Sequence, residues 1–488
     1  MPNKLTPVIV GVSQILQRLT DPLLGKEVVD SMVDAVKAAA LDAGNPELIK
    51  QIDSVRVVRG VWKYKQPAGY VAEQLSLSNV ELVGTPFGGN YVQSLVNQSA
   101  LDILAGKNSL VVLTGAENGN SQAKARKAGI ELPRKETSGA YTRLLGDDKQ
   151  MASDIEIARG IRAPIQIYPM FENALRYERG ESVEAHIKRI SELWAGFSTV
   201  ASKNPNAWIQ QETSAEAIRT VSDSNRLISF PYPKLMNSNS AVDMASALIL
   251  CSVEKAEQLG IPESQWVYPL AGTDAHDHLF VSNRDSLSSS PAIRTAGNRV
   301  MELLDIGLDN IDLIDVYSCF PSAVQVAIKE LGLDESKPLT VTGGLTFGGG
   351  PLNNYVMHSI AQMVELLREA PGKKGMITAN GGFLTKHAFG IYSTEAPEEK
   401  FAYQDCQAEV DILPKRDCIL EHEGTADIES YTVMYDPKGA VVAHAACLLA
   451  DGTRVWANSN DKDLMSEMVL SEFCGKSVKI SRDGIFTL

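Results

Sequence analysis

Residues 347–382 read FGGGPLNNYVMHSIAQMVELLREAPGKKGMITANGG, and residues 87–119 read FGGNYVQSLVNQSALDILAGKNSLVVLTGAENG. Both set a glycine turn before a stretch with apolar residues at helical spacing: Val92, Leu95, Val96, Ala100, Ile103 and Leu104 in one, Val356, Ile360, Met363, Val364 and Leu367 in the other. Each helix meets a stop, Gly106 or Pro371–Gly372, and is followed by an apolar strand, Leu110 to Leu113 or Gly375 to Ala379. Upstream of each turn lies another matching pair, VDSMVDAVKAAALDAG with QIDSVRVV and AIRTAGNRVMELLDIG with NIDLIDVY. An order of features met twice predicts two α/β halves with mostly parallel strands, a single long doubly wound sheet being the alternative.

Residues 120–240 are more polar and more helical, and read as a cap inserted after the first half, residues 1–119. The second half then covers 241–394, with 241–265 completing the first. After the linker EAPEEKFAYQ the texture changes to short alternating runs with turns DPKG and ADG, so 400–488 is expected to be a small β-barrel of oligonucleotide-binding (OB) type.

Composition excludes several classes. Hydrophobic residues at 44% and charged residues at 22% are globular values, which rules out collagenous, disordered and disulfide-scaffold chains. A net charge of -14 argues against a nucleic-acid partner, and the tail, with 8 Lys and Arg against 15 Asp and Glu over 401–488, is no better suited to one. The six cysteines form no CxxC and no zinc-ligand spacing, so no metal is expected and the thiols read as reduced. The start MPNKLTPVIVGVSQ enters a strand-like run and no apolar stretch is long enough for a membrane span, so a cytoplasmic monomer or homodimer is expected.

The anchors DVYSCFPSA (315–323), GGLTFGGGPL (343–352), NGGFLTKHAFGIYS (380–393) and AGKNSLVVLTGAEN, in this order, resemble the thiolase superfamily, and most of all its sterol-carrier-protein type. The resemblance covers roughly residues 5–394. It implies a duplicated five-layer α/β core, an acetyl-CoA acetyltransferase-like acyltransfer chemistry in lipid metabolism, and CoA or acyl-CoA as substrate or ligand, with no covalently bound cofactor. Thiolase chemistry needs a cysteine thiolate at the start of the first core helix, a base to activate it, an oxyanion site and a second acid/base.

Position by position, this chain departs from that pattern. The nucleophile falls at or next to Gly89, and no Cys occurs in residues 1–250. The His of the GHP motif falls on Gly350, between Gly349 and Pro351; the Asn or His of the NEAF or HDCF motif falls on Tyr317; the second Cys, of the CxG motif, falls on Asn380. Standard thiolysis or Claisen condensation is therefore not expected.

The candidate catalytic groups that remain are Tyr317, His387 and Asn380. Tyr317, at a strand end, is either a general acid/base or a buried phenol, and His387 is either a proton carrier or a tie for its own loop. Gly88, Gly89, Asn90, Gly349 and Gly350 are the candidate substrate-binding positions, because turns at helix starts can offer N–H groups to a thioester oxygen or a phosphate. Cys319 reads as inert packing, and His276 and His278 as a surface loop rather than a metal pair. Three classes stay open: an acyltransferase-like enzyme with altered groups, a retro-aldolase or other lyase on a β-hydroxyacyl-CoA using Tyr317 or His387, and a non-catalytic acyl-CoA-binding protein. The loss of a Cys and a His for glycines is expected to enlarge the cleft.

Overall fold

The chain is seen in a computed structural model that describes residues 3–488. Its first sheet runs, in spatial order, Glu81–Gly84, Ser54–Val57, Leu110–Asn118, Asp243–Ser252 and Pro7–Leu16. The second runs Leu313–Asp315, Lys374–Gly381, Lys386–Ser393 and Tyr268–His276. Taken in chain order, the two sequences of strands are the same, except that the partner of Glu81–Gly84 is missing from the second half. There an extended segment takes its place, with the Val316 N–H donating to the Leu339 carbonyl at 2.9 Å. The duplication read from the glycine turns is present in the topology.

The strand directions differ from expectation. Ser54–Val57 runs parallel to Leu110–Asn118, but Asp243–Ser252 is antiparallel to both of its neighbours, and the second sheet repeats this mixture. In the second sheet the reason is the length of the connection. Only residues 382–385 separate Gly381 from Lys386, and so short a link can form a hairpin but not a crossover.

Helices Tyr91–Leu104 and Tyr355–Glu369 lie between the two sheets and touch each other as well as strands on both sides. They are buried nearly all round, as an apolar helix with no solvent face must be. Val28–Asp42 covers the outer face of the first sheet and Pro291–Glu302 that of the second, which completes five layers. Buried Asp315 ties the second half together, accepting from Thr340 Oγ1, the Val341 N–H and the Tyr355 hydroxyl, each at 2.9 Å. In the first half, Glu117 is buried at a strand end with the Val61 N–H at 3.0 Å, and burial pushes its carboxyl up to about 8.

Two further strands sit at sheet edges. Arg143–Leu144 pairs parallel with Val83–Gly84 and closes the open edge of the first sheet. Its Arg143 side chain reaches Asp102 at 2.5 Å and Glu81 at 3.3 Å, beside the buried pair Arg56–Asp102 at 2.8 Å. Ala402–Asp405 adds to Tyr268–His276, so the second sheet continues past residue 394, where the change of texture had placed its end.

The tail forms an eight-stranded sheet that takes in Leu227–Ser229 and Tyr232–Pro233 from the cap. Its ladders do not close into the expected barrel. Ile485, next to the final strand Phe486–Thr487, reaches Arg454–Ser459 at one isolated bridge, to Asn458, while Cys418–Ile419 pairs with Arg454 and Val455 of that strand. The tail is fastened to the rest of the chain by buried groups. Arg454 donates to the Ser282 and Arg284 carbonyls at 2.8 and 2.6 Å and pairs with Glu429 at 2.7 Å, while Asn173 of the cap helix Pro164–Arg179 donates to the Tyr431 carbonyl at 2.8 Å.

Candidate functional site

The FGGN turn leads directly into the first core helix, with Asn90 at its N-cap. A Cβ placed on Gly89 would lie 2.5 Å from the Asn380 carbonyl oxygen and 2.7 Å from the Tyr317 hydroxyl. These three residues are therefore in contact, and only a residue without a side chain fits between the other two. Asn90 is buried against Gly88 and Gly381, and its Oδ1 has no hydrogen-bond partner. The structure thus gathers Gly88, Gly89, Asn90, Tyr317 and Asn380 into one cluster.

Tyr317 follows the edge strand Leu313–Asp315, its N–H bonded to Thr378 Oγ1 at 2.9 Å and its ring edge-on to Tyr355 at 5.5 Å between centroids. Burial, and after it the neighbouring Cys319, raises its phenol well above the ordinary tyrosine value. A group so poised holds its proton, so at neutral pH it offers a hydrogen bond and is not a base. Burial also pushes the Cys319 thiol up to about 12, so at neutral pH it is not a thiolate nucleophile.

The closing member was not found by sequence reading. Tyr168, on the cap helix Pro164–Arg179, is fully buried, and its hydroxyl accepts from Asn380 Nδ2 at 3.0 Å and from the Leu384 N–H at 2.9 Å. Its ring stacks on Phe320 at 4.4 Å between centroids. The spacing of Tyr168, Phe171 and Leu175 marks an inward helix face, but nothing in it says that the face looks into this site.

His387 sits opposite Asn380 in the hairpin ladder. Its Nε2 is 3.6 Å from Asp277 Oδ2 and 3.4 Å from Ser290 Oγ. Burial alone would raise the Asp277 carboxyl, but hydrogen bonds from His387 and Ser290 and the charge of Arg284 hold it below its ordinary value. In the DAHDH run the carboxylate beside His387 is the second Asp. His276 ends a strand, and His278 Nε2 lies 3.2 Å from the Leu413 and Pro414 carbonyls. Among the described residues no group of three or more His, Cys, Asp or Glu is placed to hold a metal.

The cleft is not enlarged. Tyr317, Asn380 and His387 share a void of only about 10 Å³, barely the space of one water. At the second turn, a Cβ on Gly350 would lie 3.1 Å from the Leu345 carbonyl oxygen and 3.2 Å from that of Asn239, and one on Gly349 would lie 2.6 Å from Met244 Sδ and 3.2 Å from Trp208 Cβ, so backbone and side chains fill the volume expected to be vacant. Gly349 also has φ 110°, which favours glycine. The Gly350 N–H is already committed to the Asn239 carbonyl at 3.0 Å, and the helix proper begins only at Tyr355. Gly349 and Gly350 thus pack against the 237–244 segment and Trp208, whereas Gly88, Gly89 and Asn90 face Tyr317 and Asn380.

Duplicated halves enclosing two buried helices, with the glycine turn of the first at the strand ends of the second, define a thiolase-type fold. The model for the thiolase-like protein type 1 additional C-terminal domain matches residues 405–485. The crystal structure of a monomeric SCP2-thiolase-like protein type 1 from Mycobacterium smegmatis is 33% identical, over the full length of both chains, with a TM-score of 0.87. This chain belongs to the SCP2-thiolase-like proteins of type 1. More distantly, an acetyl-CoA acetyltransferase of Methanocaldococcus jannaschii is 22% identical over 310 residues, 62% of this chain and 70% of that one. An Ltp2-ChsH2(DUF35) aldolase shares the fold at 19% identity and a TM-score of 0.60, covering 81% of this chain and 98% of that one.

Proposed function

We propose that this protein binds a CoA thioester without forming an acyl-enzyme and does not carry out thiolysis or Claisen condensation. The observation that carries this reading is the packing of Gly89 against Tyr317 and Asn380. A nucleophile's side chain has no room there, and the one nearby thiol, Cys319, is held protonated. Binding of a CoA thioester rests on the relationship to acetyl-CoA acetyltransferases; Gly88, Gly89 and Asn90 are the positions assigned to it, with the unpaired Asn90 Oδ1 as a polar contact.

Calorimetric titration of the full chain with CoA and a series of acyl-CoAs, followed by intact-mass analysis, tests the reading. Binding with no mass increase is expected. Absence of heat with every acyl-CoA, or an acyl adduct on Cys319, would end it.

A second reading has one observation of its own: the Tyr317 hydroxyl lies where a reacting group would stand, with Asn380 alongside. Tyr317 would then act as proton donor in carbon–carbon cleavage of a β-hydroxyacyl-CoA, and His387 would steady the hairpin. Product analysis of the tightest-binding thioester separates the two. The reduced thiols fit a cytoplasmic location. The covered edge at Glu81–Gly84 favours a monomer, which light scattering of the purified chain would check.

A further inference from the structure

Beside the FGGN turn a pocket of about 400 Å³, lined also by Asn90 and His387 of the candidate site, opens between the first core helix and one edge of the second sheet. Lys386 lines it and is only 8% exposed. Among the described residues its ammonium has no carboxylate within ion-pair distance. Its hydrogen bond is a long one, 3.4 Å to the Phe87 carbonyl, and the Tyr91 ring lies 5.3 Å away. A buried ammonium has three protons to satisfy, so this side chain is nearly unpartnered. Burial lowers the affinity of its amine for a proton, and so raises the fraction present as a nucleophile.

Groups able to move protons share the pocket. His276 faces Lys386 across the ladder, and its Nδ1, 2.8 Å from the Asp277 carbonyl, must carry the hydrogen there and donate it. That leaves Nε2 free to take up a proton. Asp274, two residues along on the same face, is bonded to Ser94, Asn97 and Tyr403, and burial pushes its carboxyl up to about 6.

We propose that Lys386 is a nucleophilic amine and that this pocket binds a small aldehyde or ketone, which the lysine captures as an imine. The neutral Nζ attacks the carbonyl carbon, the C=O π pair moves to oxygen, and that oxygen takes a proton to give the carbinolamine. A second proton lets the hydroxyl leave as water while the C=N bond forms, and each of the two protons that reach the oxygen is one lost from nitrogen and relayed by His276 Nε2. Amine and carbonyl give imine and water, with no change of oxidation state. The proposal is independent of CoA binding.

The test is reductive trapping on the full chain at neutral pH with acetaldehyde, acetone or pyruvate and cyanoborohydride, read by peptide mass spectrometry. Alkylation of Lys386 is expected at about tenfold the extent seen at exposed Lys4 and Lys50, as for an amine activated by desolvation. Lys386→Arg should remove the label at that site alone, and His276→Gln should slow it. An unmodified Lys386, or one labelled no faster than Lys4, would overturn the proposal; this comparison needs no variant, so it stands even if Lys386→Arg fails to fold. Equal rates in His276→Gln would overturn the part given to His276.

Discussion

The Tyr317 hydroxyl lies 2.7 Å from the place a Cβ would occupy on Gly89, so a tyrosine from the second half fills the space where a nucleophile of the first half would stand. The Asn380 carbonyl closes the same space from the other side at 2.5 Å, and being backbone it cannot swing away.

Gly89→Ala should therefore destabilise the fold by about 2 kcal/mol or more, the cost of overpacking a rigid core. Urea denaturation measures it, and a variant within about 0.5 kcal/mol of wild type would contradict the close packing. Gly89→Cys should neither accept an acetyl group from acetyl-CoA nor cleave acetoacetyl-CoA.

Tyr168→Phe keeps the stacked ring but removes the oxygen that receives the Asn380 amide and the Leu384 N–H. Leaving two buried donors unpaired should cost about 1–3 kcal/mol. Faster alkylation of Cys319 in this variant is expected as well, since Tyr168 is part of what seals that thiol.

Glu117 gives a pH signature. Its carboxyl titrates at about 8 in the fold against an ordinary 4.5, so the folded chain holds a proton that the unfolded chain releases. The stabilisation is complete below about 4.5 and is lost as pH rises through about 8. Glu117→Gln keeps the shape without the titration, so its stability relative to wild type should improve steadily across that window. Parallel curves for the two proteins between pH 5 and 8 would show that Glu117 is ionised in the fold.

Arg454→Ala strips a buried guanidinium from Glu429 and from the Ser282 and Arg284 carbonyls. Losing one partner of a buried pair costs about 3–5 kcal/mol. The tail should loosen first, and limited proteolysis between residues 394 and 424 checks this.

The repeated turn, helix and strand were legible because both core helices carry apolar residues at helical spacing and glycine punctuates each one. The first turn likewise singled out Gly88, Gly89 and Asn90, which the structure brings against Gly381, Tyr317 and Asn380. What could not be read is how the vacated space is used. Tyr168, Trp208 and Met244 come from segments far away in sequence, and their inward faces carry no mark of a destination. Strand direction was misjudged because apolar strands look alike whichever way they run, and the Asn380–Gly381 pair falls at the end of a strand and not within the link 382–385. The Asp277–His387 pairing likewise joins residues that only the ladder brings together.

The two residues Arg143 and Leu144 do more than lengthen a sheet. An exposed strand edge is a template, since any chain with free N–H and C=O groups can continue it, including another copy of itself. Here the template is used up by the same polypeptide, and Arg143 locks the plug through Asp102 and Glu81. The cover on that edge is thus a dipeptide in a surface loop and no part of the broad faces of the fold. A deletion in the loop, without a single change to the core, would turn a self-sufficient sheet into one that recruits.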